Sequence, residues 1–247
     1  MVVEATGLFR SQTLASAHLQ AGAKKVVISA PATDDIPTIV FGVNHQRLRA
    51  TDHVISCASC TTNCATPLVH VLDQEFGVVR GLLTTVHAVT NDQRLLDLAH
   101  GKDVRRGRSA LVNVVPTHTG AAVAITKVLP HLAGKLNGVA LRVPVVTGSI
   151  VDLTLQLKQS VTVNDVNAAF AKHAQRPSLR ATLAYAQQPI VSHDIIGATA
   201  GATFDPSLTL AIEGGQQPIV KVFAWYDNET SYVHQMVRTI NFLATLL

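Results

Sequence analysis

SCASCTTNCATPLVHVLDQEFG, residues 56–77, holds all three cysteines of the 247-residue chain and joins a predicted strand to a predicted helix. From Cys64 onward apolar residues recur at helical spacing, and Gly77 is a favourable helix end. Cys60 thus lies at or just before a helix N-terminus, although Pro67 means that the helix either starts late or kinks. Because a helix N-terminus stabilises a thiolate, we expect a lowered pKa for Cys60 and assign it as the reactive thiol.

The clustered thiols also allow a disulfide or a metal site. The N-terminal sequence MVVEATGLFR is not a secretory signal, which favours a cytoplasmic, reducing location and argues against disulfides. A zinc or iron–sulfur site needs a fourth ligand, and the chain has no second C-x-x-C, so that only a histidine could complete it. We therefore predict no metal, a packing role for Cys64, and no chemical role for Cys57.

Composition limits the classes of partner. Apolar residues make up 47% of the chain and charged residues 15%, which indicates a folded chain with a sizeable core. The net charge is only +4, with basic residues scattered and aromatic residues at 4%, so we expect no nucleic-acid partner. No apolar run reaches ~18 residues, and we expect no membrane association.

The pattern of elements changes along the chain. VVEA (2–5) and KVVISAP (25–31) are apolar strands flanking an amphipathic helix at 11–22, an arrangement typical of a parallel α/β sheet. Beyond residue 78 the strands become longer, Val/Thr-rich and alternating, which predicts a mostly antiparallel sheet. These strands lie in VVRGLLTTVHAVT, LNGVALRVPVV, SIVDLTLQLKQSV, LTLAIEG and IVKVFAWYD, with helices at 119–130 (capped by Thr119), 164–174 and 230–246. The predicted fold class is α/β plus α+β.

A thiol nucleophile needs a base, and His87 is the candidate. It ends an apolar strand and enters a polar loop, 27 residues after Cys60. A Cys–His pair serves protease, acyl-transfer and aldehyde chemistry alike, so the pair alone leaves the reaction open.

Several ordered motifs resemble the phosphorylating glyceraldehyde-3-phosphate dehydrogenase family, from Val2 to the C-terminus. They are SCTTNC (59–64), TTVHAVTNDQ (84–93), RRGR (105–108), PTHTGAA (116–122), KLNGVALRVP (135–144) and WYDNETSY (225–232). The resemblance implies a remnant of a Rossmann-type parallel sheet followed by a catalytic domain whose mostly antiparallel sheet is covered by helices.

The resemblance also implies a reaction and its residues. Cys60 would attack the aldehyde of glyceraldehyde 3-phosphate, His87 would move the proton, hydride would pass to NAD (NADP is possible), and inorganic phosphate would release the product. The implied phosphate contacts are Ser59, Thr61, Thr90, Thr119, Gly120 and Arg142. The implied cofactor contacts are Ser29, Asn228, Thr6 and Gly7, with Tyr232 packed beside Asn228. The arginines at 105, 106 and 108 would add positive charge to the anion sites, lie at a subunit interface, or be exposed to solvent.

The family pattern further implies domains and assembly. Residues 1–60 with the C-terminal helix at 230–247 would form the remnant of the NAD-binding domain, and 61–229 the catalytic domain. A homotetramer is expected, with the loop at 89–112 between subunits. The family's G-x-G-x-x-G is absent from the 247 residues, so we expect an N-terminally truncated chain that binds NAD weakly.

Two alternatives remain at this stage. One is an erythrose-4-phosphate dehydrogenase, which the phosphate residues and the HAVTND loop disfavour. The other is a catalytically impaired remnant that acts as an interaction partner or as a subunit of a hetero-oligomer.

Overall fold

Two β-sheets organise the chain. The computed structural model describes residues 1–101, 103–212 and 218–247. Within them the strands are β1 Val2–Glu4, β2 Val26–Ile28, β3 Val54–Ser56, β4 Val78–His87, β5 Val115–His118, β6 Leu136–Arg142, β7 Ser149–Leu157, β8 Leu183–Tyr185, β9 Ala202–Phe204, β10 Leu210–Ile212 and β11 Ile219–Tyr226. The α-helices are α1 Gln12–Gln20, α2 Cys60–Phe76, α3 Ala121–Val128, α4 Val163–Ala174 and α5 Thr230–Ala244. Short 3-10 helices occupy His45–Arg47, Val104–Gly107, Pro130–Leu132 and Pro206–Leu208.

The first sheet is parallel, as predicted, with strand order β1-β2-β3. Alternate residues of β2 face opposite sides: Val26 packs in a cluster with Ala15 of α1, and Val27 packs in a cluster with Leu243 of α5. Because helices cover both faces, every residue of β2 and β3 is apolar or small and buried.

The second sheet is mixed, with strand order β5-β6-β4-β7-β11-β9-β8 and β10 paired to β11. Five of its pairings are antiparallel, whereas β4–β6 and β8–β9 are parallel. One face packs on α2, α3 and α4 in the main core, which includes Leu68, Ile125 and Phe170. The other face is open, and Leu82 is 66% exposed there. The predicted fold class is confirmed; residues 213 and 214 of the predicted LTLAIEG strand lie outside the described residues.

Helix boundaries follow the capping residues. Ser11 accepts from the Leu14 N–H at the start of α1, and Gly77, at φ +71°, ends α2. The predicted helix at 119–130 is wrong at both ends: Gly120, not Thr119, is the N-cap of α3, and the helix stops at Val128. Since Pro130 starts a 3-10 turn, the helix does not continue.

Helix α2 runs unbroken from Cys60 to Phe76 with Pro67 inside it, so the predicted late start is wrong. Most of its residues from Thr61 to Leu72 are buried against the mixed sheet and neighbouring helices. That burial offsets the backbone hydrogen bond that proline removes.

Candidate active site

The carboxyl ends of three strands meet at one edge of the mixed sheet. β4 and β6 are parallel, and their register places His87 opposite Arg142. β11 runs in the same direction, because β4 and β11 are both antiparallel to β7 between them, and it ends at Tyr226. The sheet therefore brings these three terminal side chains to the same edge.

The turn before α2 places Cys60 at the first position of the helix. Ala58 adopts φ +59°, the single positive φ of a non-glycine residue in the described chain. The Asn63 amide donates to the carbonyls of Cys57 and Ser59, each at 2.9 Å, and the Ser59 hydroxyl caps the helix. These bonds hold the strained turn, so that the position of the Cys60 sulfur is well defined.

The two predicted catalytic side chains come together. Cys60 Sγ lies 3.4 Å from His87 Nε2, within hydrogen-bond reach for sulfur. His87 is 3% exposed, and Cys60 is half-buried. The sequence separation of 27 residues is bridged because α2 starts where β4 ends.

Burial governs the ionisation of the three thiols. It raises the pKa of Cys60 above its ordinary value, opposed by the Thr61 backbone N–H and then by the charge of Arg142. The expectation of a lowered pKa is therefore wrong, because desolvation outweighs the helix terminus. Burial raises the pKa of Cys57 to about 12, and that of Cys64 well above its ordinary value. Cys64 is a buried packing residue, as predicted.

His87 is held as a neutral imidazole. Burial first, and the Arg142 guanidinium second, lower its pKa from 6.5 to about 4. Its Nδ1 lies 2.7 Å from the Ala88 carbonyl oxygen and 2.6 Å from Arg142 Nη1. Nε2 faces the sulfur, so the ring can exchange a proton with Cys60 through one nitrogen while the other is fixed by the protein.

Tyr226 packs against the site, although it is not among the predicted site residues. Its hydroxyl lies 2.9 Å from Thr61 Oγ1 and 2.8 Å from Thr85 Oγ1, and its ring meets the His87 ring edge-on. The alternation of β11, in which residues 220, 222, 224 and 226 face inward, was the signal that would have found it.

The predicted phosphate contacts fall into two groups. Ser59 and Thr61 flank Cys60, and Arg142 contacts His87. Thr119 and Gly120 lie at the start of α3, which packs against α2, and Thr119 Oγ1 accepts from the Ala121 N–H at 3.2 Å. The backbone N–H groups at this helix start are donors suited to an anion.

Thr90 is fixed by an acidic neighbour. Its hydroxyl donates to Asp92, whose other carboxylate oxygen accepts from Arg106. Arg106 Nε also donates to Thr117 Oγ1 at 2.7 Å, and Arg108 pairs with Asp97 at 3.3 Å. These two arginines thus tie the 91–109 loop together, a role that the sequence left open.

The predicted cofactor contacts lie at the ends of β1 and β2 and after β11. The Ser29 hydroxyl donates to Tyr232 Oη at 3.2 Å. Asn228 Oδ1 accepts from the Gly148 N–H at 3.1 Å and from the Ser149 hydroxyl at 3.0 Å, which turns its NH₂ group away as a donor. This oriented amide fits a carboxamide acceptor such as that of a nicotinamide.

Thr6 and Gly7 form the turn after β1. The Thr6 backbone N–H donates to the buried Glu4 carboxylate at 2.8 Å, and Gly7 adopts φ +76°. Because β1 and β2 are parallel, this turn and Ser29 share one edge of the first sheet. Across the described part of the chain, no helix is long and apolar enough to span a membrane.

Comparisons with known proteins agree on one family. Residues 59–228 match the family model "Glyceraldehyde 3-phosphate dehydrogenase, C-terminal domain". The chain is 50% identical over 247 residues to glyceraldehyde-3-phosphate dehydrogenase of Clostridium acetobutylicum, covering 100% of this chain and 72% of that protein. It is 52% identical to the enzyme of Streptomyces coelicolor (100% and 73%) and 51% identical to that of Geobacillus stearothermophilus (99% and 72%).

Proposed function

Since the chain belongs to the glyceraldehyde-3-phosphate dehydrogenase family, we propose that it oxidises and phosphorylates glyceraldehyde 3-phosphate to 1,3-bisphosphoglycerate. The observation that supports this proposal most directly is the 3.4 Å contact between Cys60 Sγ and His87 Nε2 at the end of β4. A thiol facing a neutral imidazole supports nucleophilic attack on an aldehyde.

In the first step Cys60 attacks the aldehyde carbon as its S–H proton passes to His87 Nε2. A bond forms from sulfur to carbon as the carbonyl π bond breaks, and the oxygen takes the negative charge and then the proton held by His87 Nε2, giving a thiohemiacetal and a neutral imidazole. Backbone N–H groups at the start of α2, which already face the sulfur, stabilise this oxygen.

For the second step NAD or NADP, which Asn228, Ser29, Thr6 and Gly7 would hold, would supply the hydride acceptor for the thiohemiacetal carbon. His87 Nε2 removes the hydroxyl proton as the carbonyl re-forms, and Cys60 is left as a thioester. An oxygen of inorganic phosphate then attacks the thioester carbon. The carbon–sulfur bond breaks, and Cys60 leaves as a thiolate that regains the proton from His87.

The same proposal assigns the binding residues. Two anion sites, for the substrate phosphate and the attacking phosphate, draw on Ser59, Thr61, Thr90, Thr119, Gly120 and Arg142. Asn228 offers its NH₂ group to the nicotinamide carboxamide, with Ser29, Thr6 and Gly7 along the cofactor. Arg142 suits a phosphate because its guanidinium offers two parallel donors.

Domain division and assembly are part of the proposal. The packing of α5 on the parallel sheet supports a cofactor unit made of residues 1–60 and 230–247, and a catalytic unit of residues 61–229. The open face of the mixed sheet and the exposed side chains of Leu95, Leu96 and Leu98 support a homotetramer. Three free cysteines support a cytoplasmic, reducing location.

The test is formation of reduced cofactor. With glyceraldehyde 3-phosphate, phosphate and saturating NAD, the chain should give an absorbance increase, Cys60→Ser should abolish it, and Arg80→Met, a surface control on β4, should leave it unchanged. Replacing phosphate with sulfate should stop turnover at the thioester. An equal rate in Cys60→Ser would refute the assignment of Cys60 as the nucleophile. Faster turnover of erythrose 4-phosphate would show that erythrose 4-phosphate, not glyceraldehyde 3-phosphate, is the preferred substrate.

A further inference from the structure

His87 Nδ1 faces a donor and an acceptor at the same time. Arg142 Nη1 lies 2.6 Å from it, and the Ala88 carbonyl oxygen lies 2.7 Å from it. Arg142 Nη1 is also 3.1 Å from that carbonyl. A guanidinium only donates and a carbonyl only accepts, so a single Nδ1 cannot satisfy both in one protonation state.

Each partner selects a different tautomer of the neutral ring. If Arg142 donates to Nδ1, the ring proton is on Nε2, which then points an N–H at Cys60 Sγ. If Nδ1 carries the proton and donates to Ala88, Nε2 has a free lone pair facing the sulfur. Only the second tautomer can accept the thiol proton, because the first already has a hydrogen on Nε2.

We propose that Arg142 holds His87 in the Nε2–H tautomer when no phosphate is bound, and that the substrate phosphate releases it. The proposal rests on the assignment of Arg142 as a phosphate ligand. Arg142 is thus a positioning residue that makes the base available only when substrate occupies the site.

The chemistry of the guanidinium favours this exchange. Its contact with His87 is to a neutral nitrogen, whereas a phosphate offers a dianion and two parallel hydrogen bonds. Arg142 is half-buried at the end of β6, and the charge of Asp92 acts on it from the adjoining loop. A phosphate bound there therefore draws the arginine away from Nδ1.

The proton count balances. On release, one proton leaves Nε2 for solvent and one binds Nδ1 from solvent, so the ring stays neutral. Nδ1–H then donates to the Ala88 carbonyl. When Cys60 attacks, its S–H bond breaks and an N–H bond forms at Nε2, which gives the imidazolium.

The tautomer is visible by ¹⁵N NMR of the ring nitrogens in the histidine-labelled chain. The His87 signals are assigned by their loss in His87→Asn. We expect the Nε2–H pattern in the free chain and the Nδ1–H pattern when sn-glycerol 3-phosphate is added; this probe carries the phosphate but no aldehyde. Glycerol alone should change nothing.

Replacing Arg142 tests directly whether it sets the tautomer of His87. Arg142→Met should show the Nδ1–H pattern without any phosphate, with a change in tautomer ratio of about tenfold or more, as expected for loss of a charge-assisted hydrogen bond. Arg80→Met, which removes an exposed arginine from β4, should keep the wild-type pattern.

Two results would overturn the proposal. One is the Nδ1–H pattern in the free wild-type chain, and the other is an unchanged pattern at saturating sn-glycerol 3-phosphate; neither depends on the folding of a variant. A phosphate-dependent tautomer change in a chain that forms no reduced cofactor would support the coupling and count against the proposed reaction instead.

Discussion

At the scale of single residues, Cys60 and His87 rest as a neutral thiol beside a neutral imidazole. Burial raises the pKa of the thiol and lowers that of His87 to about 4, so the ion pair is disfavoured before substrate binds. In the proposed reaction the negative charge on sulfur therefore develops during attack, as the proton moves to Nε2. This differs from a site that stores a thiolate in its resting state.

We expect Cys60 to be alkylated faster than Cys57 or Cys64 near neutral pH. Burial raises the pKa of all three thiols, but Cys57 is 2% exposed and Cys64 is fully buried, whereas Cys60 is half-buried and its sulfur lies 3.4 Å from His87 Nε2, which can stabilise a thiolate by donating a hydrogen bond. Mass-spectrometric mapping after brief iodoacetamide treatment measures the ratio. His87→Asn should slow labelling at Cys60 alone, and preferential labelling of Cys64 would contradict the assignment.

A second expectation concerns acid stability and His87. The imidazole titrates near 6.5 when unfolded and at about 4 when folded, so below pH 6.5 the unfolded state binds more protons. The free energy of unfolding should therefore fall as pH drops from 6.5 towards 4, by up to about 3 kcal/mol from this group. Urea unfolding across this range, compared with His87→Asn, measures it. Parallel pH profiles for the two proteins would show that His87 is not the cause.

A site residue could be predicted where a local sequence pattern marks its position. A helix start and a strand end made Cys60 and His87 candidates, and the family resemblance selected them. The contact of His87 with Arg142 depends on the register of β4 on β6, and sequence patterns do not specify the pairing of strands 55 residues apart. The net pKa of Cys60 depended on burial by distant elements, which outweighed the helix terminus that the sequence displayed.

At the scale of elements, α4 has the most complete cap. Thr162 Oγ1 accepts from the Asp165 N–H at 3.2 Å, and the Asp165 carboxylate accepts from the Thr162 N–H at 2.9 Å. Thr162→Ala should lower the free energy of unfolding by about 1 kcal/mol. Thr126→Ala is the control, because that hydroxyl only donates to the Val123 carbonyl within α3. Equal losses in the two variants, measured by urea unfolding, would refute a capping role.

Elements with strong end signals were predicted well, and elements whose ends depend on packing were not. Ser11 and Gly77 mark their helices as expected. The prediction that Thr119 is the N-cap of α3 was wrong, because Gly120 is the N-cap and Thr119 Oγ1 accepts from the Ala121 N–H. Pro67 suggested a break that burial of α2 overrides.

At the scale of the whole molecule, α5 joins the last residues to the first sheet. Leu243 is fully buried in a cluster with Val27 and Ile55. Leu243→Ala should destabilise the protein by about 2–5 kcal/mol, and hydrogen exchange should rise most in β2 and β3. Leu247→Ala, at a residue 67% exposed, is the matched control and should change stability by less than about 0.5 kcal/mol. Uniform exchange increases across the mixed sheet would contradict this local coupling.

The fold class was predictable because the pattern of apolar residues in the strands changes near residue 78. Unbroken apolar strands such as KVVISAP require cover on both faces, and alternating strands such as SIVDLTLQL leave one face open, as β7 does. The strand order was not predictable. β6 pairs parallel with β4 although β5 and α3 intervene, and local sequence patterns do not specify which strands pair at this distance along the chain.

The pairing of β4 with β6 has a consequence for which changes of length this chain tolerates. Since the register opposes His87 and Arg142, a single residue inserted in either strand would present Val86 or Leu141 at the edge instead, and a single residue deleted would present Ala88 or Val143. Such a change would keep every proposed catalytic residue in the sequence, but their side chains would no longer lie together. Insertions in the solvent-facing turns should be accepted, whereas the two strands should accept substitutions but no change in length.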